Sequence, residues 1–163
     1  MTIRPAVLAD LDRLMEIYAI ARQFQCDTGN PTQWIGYPPR SLITADIESG
    51  VSYVCEEKGR IVGVFALFAG EDPTYRYIEG SWPNDLPYLT IHRIASDGSC
   101  RGLARFCFDW CLTKHPNLRI DTHEDNKVMQ HILTSYGFTH CGTIFLENGD
   151  PRLAYQIYKE KTV

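Results

Sequence analysis

Residues 96–111, SDGSCRGLARFCFDWC, decide how this sequence is interpreted. They follow PYLTIHRIA, a run with the composition of a β-strand, and apolar side chains then recur at helical spacing from Leu103 through Phe106 to Trp110. A strand that enters a helix through a loop of small residues leaves main-chain N–H groups unpaired beside the positive end of the helix dipole. Such a loop is typical of an anion site, usually for phosphate, although an ordinary strand-to-helix turn has the same composition.

Three residues give this loop its predicted chemistry. Gly102 lets a ligand approach the backbone closely, and Arg101 and Arg105 add positive charge. The loop matches neither the P-loop nor the dinucleotide-binding pattern. The role of the loop therefore depends on the order of the remaining elements.

Hydrophobic periodicity predicts the order α, α, β, β, β, α, β, α, β, β, with a further strand at residues 2–6. The helices are predicted at residues 4–25, 40–50, 103–111 and 125–137, and hairpins turn at Lys58-Gly59 and Asn148-Gly149. Residues 26–39 and 71–87 are rich in Gly, Pro and aromatic residues and read as loops. The alternation of strands and helices in the second half predicts an α/β protein with a mixed sheet and helices on its faces.

Composition excludes several classes of protein. The 163 residues, of which 44% are hydrophobic, fit one folded domain, and a formal charge of −4 without a basic run argues against nucleic acid as a partner. The longest apolar run, IVGVFALFAG, is shorter than the roughly 20 residues that span a bilayer, so no membrane partner is expected. The N-terminus carries acids and a proline where a signal peptide is apolar, which predicts a cytoplasmic protein.

The six cysteines form no CxxC pair, so free buried thiols are expected and no metal site is predicted.

From end to end, the sequence resembles the GNAT family of N-acetyltransferases. The resemblance lies in TIRPAVLADLDRLMEIY at the start, LTIHRIASDGSCRGLARFCFDWC in the middle, NLRIDTHEDNKVMQHILTSYGF after it, and the closing hairpin. It implies that residues 1–163 form a single GNAT domain. The implied sheet is mixed and mostly antiparallel, with splayed central strands and helices on both faces.

The resemblance implies that acetyl-CoA is the co-substrate and that an amine attacks its thioester directly. Main-chain amides at the end of the central strand would bind the developing oxyanion, the loop would bind the pyrophosphate, and Asn126 would face the pantetheine arm, although Asn126 also suits a helix N-cap. The cofactor residues implied are Ile94, Ala95, Ser96, Ser99, Cys100, Arg101, Gly102, Leu103, Ala104, Arg105 and Asn126.

The sequence departs from the family's pattern at two positions. Ser99 stands where the loop usually has Gln or Arg, and Leu133 stands where the family's Tyr protonates the leaving thiolate. Tyr136, one turn later, is the candidate replacement for this acid, although it also suits a core position in its helix.

For the general base, His92 is the first candidate, because its unperturbed pKa of about 6.5 suits proton removal near neutral pH. A purely structural histidine fits the same position. Asp121 and His123 end the neighbouring strand and form a second polar cluster, and Glu79 is a weaker candidate. Trp34 and other aromatic residues of the two loops would wall an acceptor site for a small-molecule amine or a peptide.

Two other interpretations remain open at this level. The first is a GNAT-like module that binds acyl-CoA without turning it over, and the second is an unrelated α/β domain in which residues 96–102 are only a turn. A homodimer is also predicted as a possible assembly, with candidate surface residues Phe145, Tyr155 and Tyr158.

Overall fold

A computed structural model describes residues 1–160. Its strands are β1 (Thr2–Pro5), β2 (Ser52–Glu57), β3 (Arg60–Ala69), β4 (Glu79–Gly80), β5 (Leu89–Ser96), β6 (Asn117–Thr122), β7 (Thr139–Phe145) and β8 (Pro151–Tyr158). Its helices are α1 (Leu11–Asp27), α2 (Arg40–Glu48), α3 (Leu103–Lys114) and α4 (Lys127–Tyr136). None of these helices is both long and apolar enough to cross a bilayer.

The strands form one mixed sheet in the order β1-β2-β3-β5-β6-β8-β7-β4. Every neighbouring pair is antiparallel except β5 and β6, which are parallel. Strands β5 and β6 pair only at Leu89–Leu118 and Thr90–Arg119, and they diverge beyond these residues. The predicted mixed, mostly antiparallel sheet with splayed central strands is therefore confirmed.

Helices cover both faces of the sheet, as predicted. On one face, α3 and α4 bury Phe108, Cys111 and Leu133 against the sheet, and on the other, α1 and α2 bury Leu14 and Ile43. A fully buried aliphatic or aromatic side chain contributes about 1.5–3 kcal/mol of transfer free energy, so these two layers hold the central strands in place.

The predicted N-terminal helix begins later than its periodicity indicated. Residues 4 and 5 belong to β1, a 3-10 turn follows at Leu8–Asp10, and α1 starts only at Leu11. Asp10 accepts hydrogen bonds from the main-chain N–H of Val7 at 2.9 Å and from Arg4 at 2.8 Å, which fixes the turn before the helix. The strand predicted at the N-terminus is confirmed. The second predicted loop contains the two-residue edge strand β4, which no sequence pattern indicated.

One predicted surface residue is buried. Tyr155 is only 4% exposed, because β8 lies between β6 and β7 and turns this ring into the core beside His140. The expectation that Tyr155 lies on a dimer surface is therefore wrong. Tyr158 is exposed, and Phe145 is half-buried with its ring 6.2 Å from that of Tyr77.

Candidate active site

A cleft of about 800 Å³ opens where β5 and β6 diverge. Its floor is formed by Ile91 and His92 of β5 and by Ile120 and Asp121 of β6. Strands that separate leave main-chain N–H and C=O groups without sheet partners, and these groups must then bond water or a ligand. The divergence therefore supplies a polar slot in the middle of an otherwise apolar sheet.

A bulge in β5 turns the chain at the edge of this slot. The pairing of β3 with β5 shifts register between Val64 and Ala66, and Arg93 opposite the shift has a φ of 52°. A positive φ costs a non-glycine residue about 1–3 kcal/mol, so other contacts must hold it. Tyr18 of α1 does so by donating its hydroxyl to the main-chain oxygen of Arg93 at 2.9 Å.

The Arg93 side chain is locked by an ion pair. Its guanidinium donates to both carboxylate oxygens of Asp46 at 2.8 and 2.9 Å and to the hydroxyl of Tyr37 at 3.1 Å. The two charged side chains are only 10% and 7% exposed. Burial alone would lower the pKa of Arg93, but Tyr37 and Asp46 outweigh it and raise the pKa. The bulge is thus fastened to α2 by a bidentate, buried pair.

His92, the residue before the bulge, is held by Asp72. His92 Nε2 lies 2.9 Å from Asp72 Oδ2. Burial alone would raise the pKa of Asp72, but hydrogen bonds from His92 and Thr74 outweigh it and lower the pKa to about 2. The carboxylate is therefore ionised at neutral pH. A neutral imidazole donates to it through Nε2–H, which leaves the basic lone pair on Nδ1.

The sequence Asp72-Pro73-Thr74 explains why this carboxylate is in place. Asp72 caps a 3-10 turn at Pro73–Tyr75, and its Oδ1 accepts from the main-chain N–H and the hydroxyl of Thr74 at 2.9 and 2.7 Å. A proline at the first position of the turn has no N–H to leave unpaired. The cap uses Oδ1 and leaves Oδ2 for His92.

A second carboxylate, Asp121, lies in the cleft. The hydroxyl of the buried Tyr75 donates to Asp121 Oδ2 at 2.6 Å. Burial and the nearby carboxylate raise the pKa of Tyr75 well above its usual range, so the phenol stays neutral. Asp121 thus accepts from a neutral donor, and no cation among residues 1–160 forms an ion pair with it.

The loop at residues 97–102 leads into the N-terminus of α3, which no side chain of residues 1–160 caps. Asp97 accepts from the N–H and the hydroxyl of Ser99 at 2.9 and 2.6 Å and from Arg13 at 2.7 Å, which shapes the loop. Burial alone would raise the pKa of Asp97, but Ser99 and Arg13 lower it. Gly102, with a φ of 74°, precedes α3, and no side chain caps that helix. Its first N–H groups are therefore available to an anion.

The loop between α1 and α2 forms one wall of the cleft. Trp34 is buried there, with its ring 5.8 Å from Tyr18 and 6.1 Å from Tyr37. Two polar contacts tie this loop to the other side of the cleft: Thr32 Oγ1 lies 3.2 Å from His123 Nε2, and Asn126 Nδ2 donates to Gln33 at 2.9 Å. The loop therefore spans the cleft.

Comparison with solved structures identifies the family. The chain is similar to an acetyltransferase of the GNAT family from Streptococcus agalactiae, with 39% identity, 98% of this chain and 96% of that chain covered, and a TM-score of 0.89. The chain belongs to the GNAT acetyltransferase family.

Two further structures share the GNAT fold at lower identity. One is a GNAT-family acetyltransferase from Bacillus cereus, with 21% identity, 98% of each chain covered and a TM-score of 0.63. The other is a ribosomal-protein-alanine N-acetyltransferase from Brucella melitensis, with 18% identity, 98% of this chain and all 100% of that chain covered, and a TM-score of 0.65. No protein-family model and no curated protein matches the chain.

In this GNAT protein, the residues predicted at the end of the central strand lie in different surroundings. Ile94 lines the cleft, whereas the Ala95 side chain is buried against the α1 and α2 layer. Ser96 turns its hydroxyl back to accept from the N–H of Gly98 at 3.0 Å. Of the three, only Ile94 is among the residues that line the cleft.

The predicted loop residues are also divided. Ser99 and Arg101 are exposed, Cys100 is half-buried, and Leu103 and Ala104 pack in the core below the loop. Gly102 has open space where a Cβ would stand. Arg105 points along the helix to α4, where it donates to Ser135 at 2.8 Å.

Asn126 occupies both of its predicted settings. Its Oδ1 accepts from the N–H of Met129 at 3.0 Å, which makes it the N-cap of α4. It also lines the cleft, where its amide nitrogen reaches Gln33.

Two predicted residues are not brought to the cleft. The hydroxyl of Tyr136 donates to Asp109 of α3 at 2.6 Å, and its ring packs on Phe108 and Phe138. Glu79 lies in the edge strand β4, opposite Thr143 of β7, and is exposed. Leu133, at the family's acid position, is fully buried in the α4 core.

The sequence did not point to Asp72 or to the Arg93–Asp46 pair, and it placed Tyr75 only among the aromatic residues of the acceptor wall, without its bond to Asp121. The Asp-Pro-Thr signature of a capped turn was available and could have drawn attention to Asp72. No local signal marks Arg93 or Asp46, because their meeting depends on the bulge and on how α2 packs against it.

Proposed function

We propose that this protein transfers the acetyl group of acetyl-CoA directly to a primary amine. We base the proposal on the His92–Asp72 pair, which lies in the cleft beside the diverging ends of β5 and β6. Membership of the GNAT family supports acetyltransferase chemistry in general. The donor, the acceptor class and the residue roles are what we add.

The loop and the helix end fit the anionic part of the donor. Acetyl-CoA, when bound, supplies an acetyl group activated as a thioester. The uncapped N-terminus of α3 and the open space at Gly102 suit its pyrophosphate, and Arg101 adds an exposed positive charge. Asn126 and the main chain at residues 94–96 would line the slot that leads toward His92.

His92 acts as the general base. Its Nδ1 accepts a proton from the acceptor nitrogen as that nitrogen bonds to the carbonyl carbon. Asp72 holds the ring through Nε2 and stabilises the positive charge that the imidazole gains. Main-chain N–H groups at residues 94–96 donate to the carbonyl oxygen as negative charge develops there.

The carbon–sulfur bond then breaks, and its electron pair goes to sulfur. The proton that His92 takes from the nitrogen balances the one that the thiolate gains from solvent. No side chain is assigned as the acid, since Leu133 is buried and the Tyr136 hydroxyl is bound to Asp109. A thiolate leaves without full protonation, so this loss slows the reaction without preventing it.

The cleft suits a small-molecule amine or a peptide end as acceptor. Trp34 and Tyr37 form an aromatic wall, and Asp121 provides a carboxylate that can attract an ammonium group. The ammonium group loses one proton to solvent before the neutral amine attacks, and His92 takes the second proton during the attack. The space of about 800 Å³ is within the range of small-molecule sites.

A thiol-release assay with acetyl-CoA and a broad amine panel tests the proposal. Amine-dependent release of free thiol is expected, and acetyl-CoA at about 100 times its Kd should add about 2.7 kcal/mol of stability in a thermal melt. Stabilisation without release for any amine would instead support a non-catalytic acyl-CoA-binding module. If acetyl-CoA gives neither stabilisation nor thiol release, both the acetyltransferase function and the acyl-CoA-binding function are wrong.

A pair of glycine variants tests the cofactor loop. Gly102→Val should weaken acetyl-CoA binding at least tenfold, because the added side chain fills the space beside the helix end. Gly50→Val is the matched control: Gly50 has a φ of 75°, Gly102 one of 74°, and both have nothing within 4 Å of a Cβ. Equal acetyl-CoA affinity in the two variants would contradict the assignment.

The six free cysteines support the proposal that the protein acts in the cytoplasm, where thiols stay reduced. A homodimer through the exposed Tyr158 also remains a proposal. Sedimentation of wild type and Tyr158→Ser would test this assembly.

A further inference from the structure

Arg152 is a buried cation without a carboxylate partner among residues 1–160. It is only 7% exposed, and its one acceptor among residues 1–160 is the neighbouring main-chain oxygen of Pro151, 2.8 Å from Nη1. No carboxylate of these residues lies within 4.0 Å of its guanidinium nitrogens. Its Nε and Nη2 atoms are not fully enclosed, so water in the cleft can hydrate the charge, and a ligand carboxylate can take the place of that water.

The sheet places Arg152 in the cleft beside Asp121. In the pairing of β6 with β8, Asp121 stands opposite Ala154, so Arg152 is its diagonal neighbour on the same face. Such neighbours have Cβ atoms about 7–8 Å apart. Both side chains line the cleft that holds His92, yet they form no ion pair with each other.

Each of these two charged side chains keeps atoms that could bind a ligand. Asp121 accepts from Tyr75 through Oδ2, which leaves Oδ1 without a partner among residues 1–160. Arg152 keeps Nε and Nη2 free in the same part of the chain, and a guanidinium binds a carboxylate with two parallel hydrogen bonds. A cation site and an anion site therefore face one cavity, separated by about the size of a small zwitterion.

We propose that Arg152 binds a carboxylate of the acceptor, and that the acceptor is a small amine that also carries a carboxylate, such as an amino acid. The inference rests on the proposed acetyltransferase function. The ammonium group is attracted by Asp121 and loses one proton to solvent, His92 takes the second proton as the amine attacks, and Arg152 fixes the other end. Glu147 and Asp150 also line the cleft, but both are exposed at its mouth, where water and salt screen them.

Matched acceptors test the proposal. Thiol release would be measured for L-amino acids, for the corresponding L-amino acid amides, and for diamines of similar length. We expect kcat/KM for the acids to exceed that for their amides by about 10- to 100-fold, the factor for one hydrogen-bonded charge pair. The amides have less basic amines, so a larger fraction of each amide is in the neutral form that can attack. A preference for the acids would therefore oppose the intrinsic reactivity of the two kinds of acceptor.

Variants assign the preference to Arg152. Arg152→Gln should raise KM for the acids and abolish the preference, Arg152→Lys should keep part of it, and Arg40→Gln, an exposed arginine outside the cleft, should change neither. If wild type prefers amides or diamines, or if Arg152→Gln keeps the preference, the inference is wrong while the acetyltransferase function stands.

A binding measurement separates this inference from turnover. With CoA present and no acetyl donor, L-amino acids but not their amides should raise the melting temperature of wild type, and Arg152→Gln should lose the shift. This outcome would support the carboxylate site even if thiol release were absent and the proposed function failed. Equal shifts with acids and amides would overturn it.

Discussion

Two buried arginines line the same cleft and have opposite surroundings. Arg93 of β5 donates to both oxygens of Asp46 and to Tyr37, and this network fixes the bulge beside His92. Among residues 1–160, Arg152 of β8 donates only to the main-chain oxygen of its neighbour Pro151. A buried charge that is paired within the protein serves the fold, whereas one left unpaired at a cavity is available to a ligand. Arg93 therefore belongs to the residues that build the cleft, and Arg152 to the residues that can bind a ligand in it.

The largest expected effect tests the paired arginine. Asp46→Asn leaves Arg93 buried without an opposite charge, and we expect a loss of about 3–5 kcal/mol in the free energy of unfolding, measured by chemical denaturation. Asp12→Asn is the control, because Asp12 and its partner Arg40 are both exposed and should lose less than about 1 kcal/mol. Similar losses in the two variants would mean that the Arg93–Asp46 pair does not hold the bulge.

The second-largest effect tests the His92–Asp72 pair, which we propose to be catalytic. His92→Gln should lower kcat about 100-fold or more, since the base is lost while the glutamine amide can still donate to Asp72. Stability should change little. His131→Gln, an exposed histidine of α4, should keep full activity. Near-normal turnover in His92→Gln would remove His92 as the base.

A smaller effect appears in the pH dependence of stability. The folded pKa of Asp72 is about 2, below its ordinary value of 3.8, so its ionisation stabilises the fold above about pH 4. This contribution, about 2 kcal/mol at about 1.4 kcal/mol per pKa unit, is lost as the pH falls through the folded pKa. Asp72→Asn should therefore be less stable than wild type at neutral pH, and the gap should close toward pH 2. A gap that stays constant with pH would contradict the shifted pKa.

The smallest effect tests the unpaired arginine. Without an acceptor present, Arg152→Gln should change the free energy of unfolding by less than about 1 kcal/mol, because it leaves no buried carboxylate unpaired. Arg93→Gln, the same change at the paired site, should lose about 3–5 kcal/mol because Asp46 is then unpaired. If the two variants lose the same free energy of unfolding, Arg152 stabilises the fold as Arg93 does, and the proposed difference between the two arginines is wrong.

Much of the fold was predictable because its signals are local. The small-residue loop before a helical stripe, the hairpin turns and the apolar run of β3 each lie within a few residues of chain, and all are found in the structure. The boundary of α1 was wrong because the contacts of Asp10 with Val7 and Arg4 outweighed the periodicity.

The site was predictable only in part. His92 was named from its usual pKa and its place on the central strand, Asp121 was named from its place at a strand end, and both line the cleft. Their partners, Asp72 and Tyr75, come from a loop without periodicity, and Tyr136 turned to Asp109 because the packing of α3 on α4 fixes its direction.

The sequence by itself determined most of the elements and the likeness to the GNAT family, and it predicted an anion site at residues 97–102, because each depends on residue type at short spacing. Tertiary structure decided which charges meet. The β3–β5 register shift places Arg93 on Asp46, and the pairing of β6 with β8 places Arg152 diagonal to Asp121 without joining them. Strand register sets these distances between residues far apart in the chain, and a shift of one residue would turn each side chain to the other face.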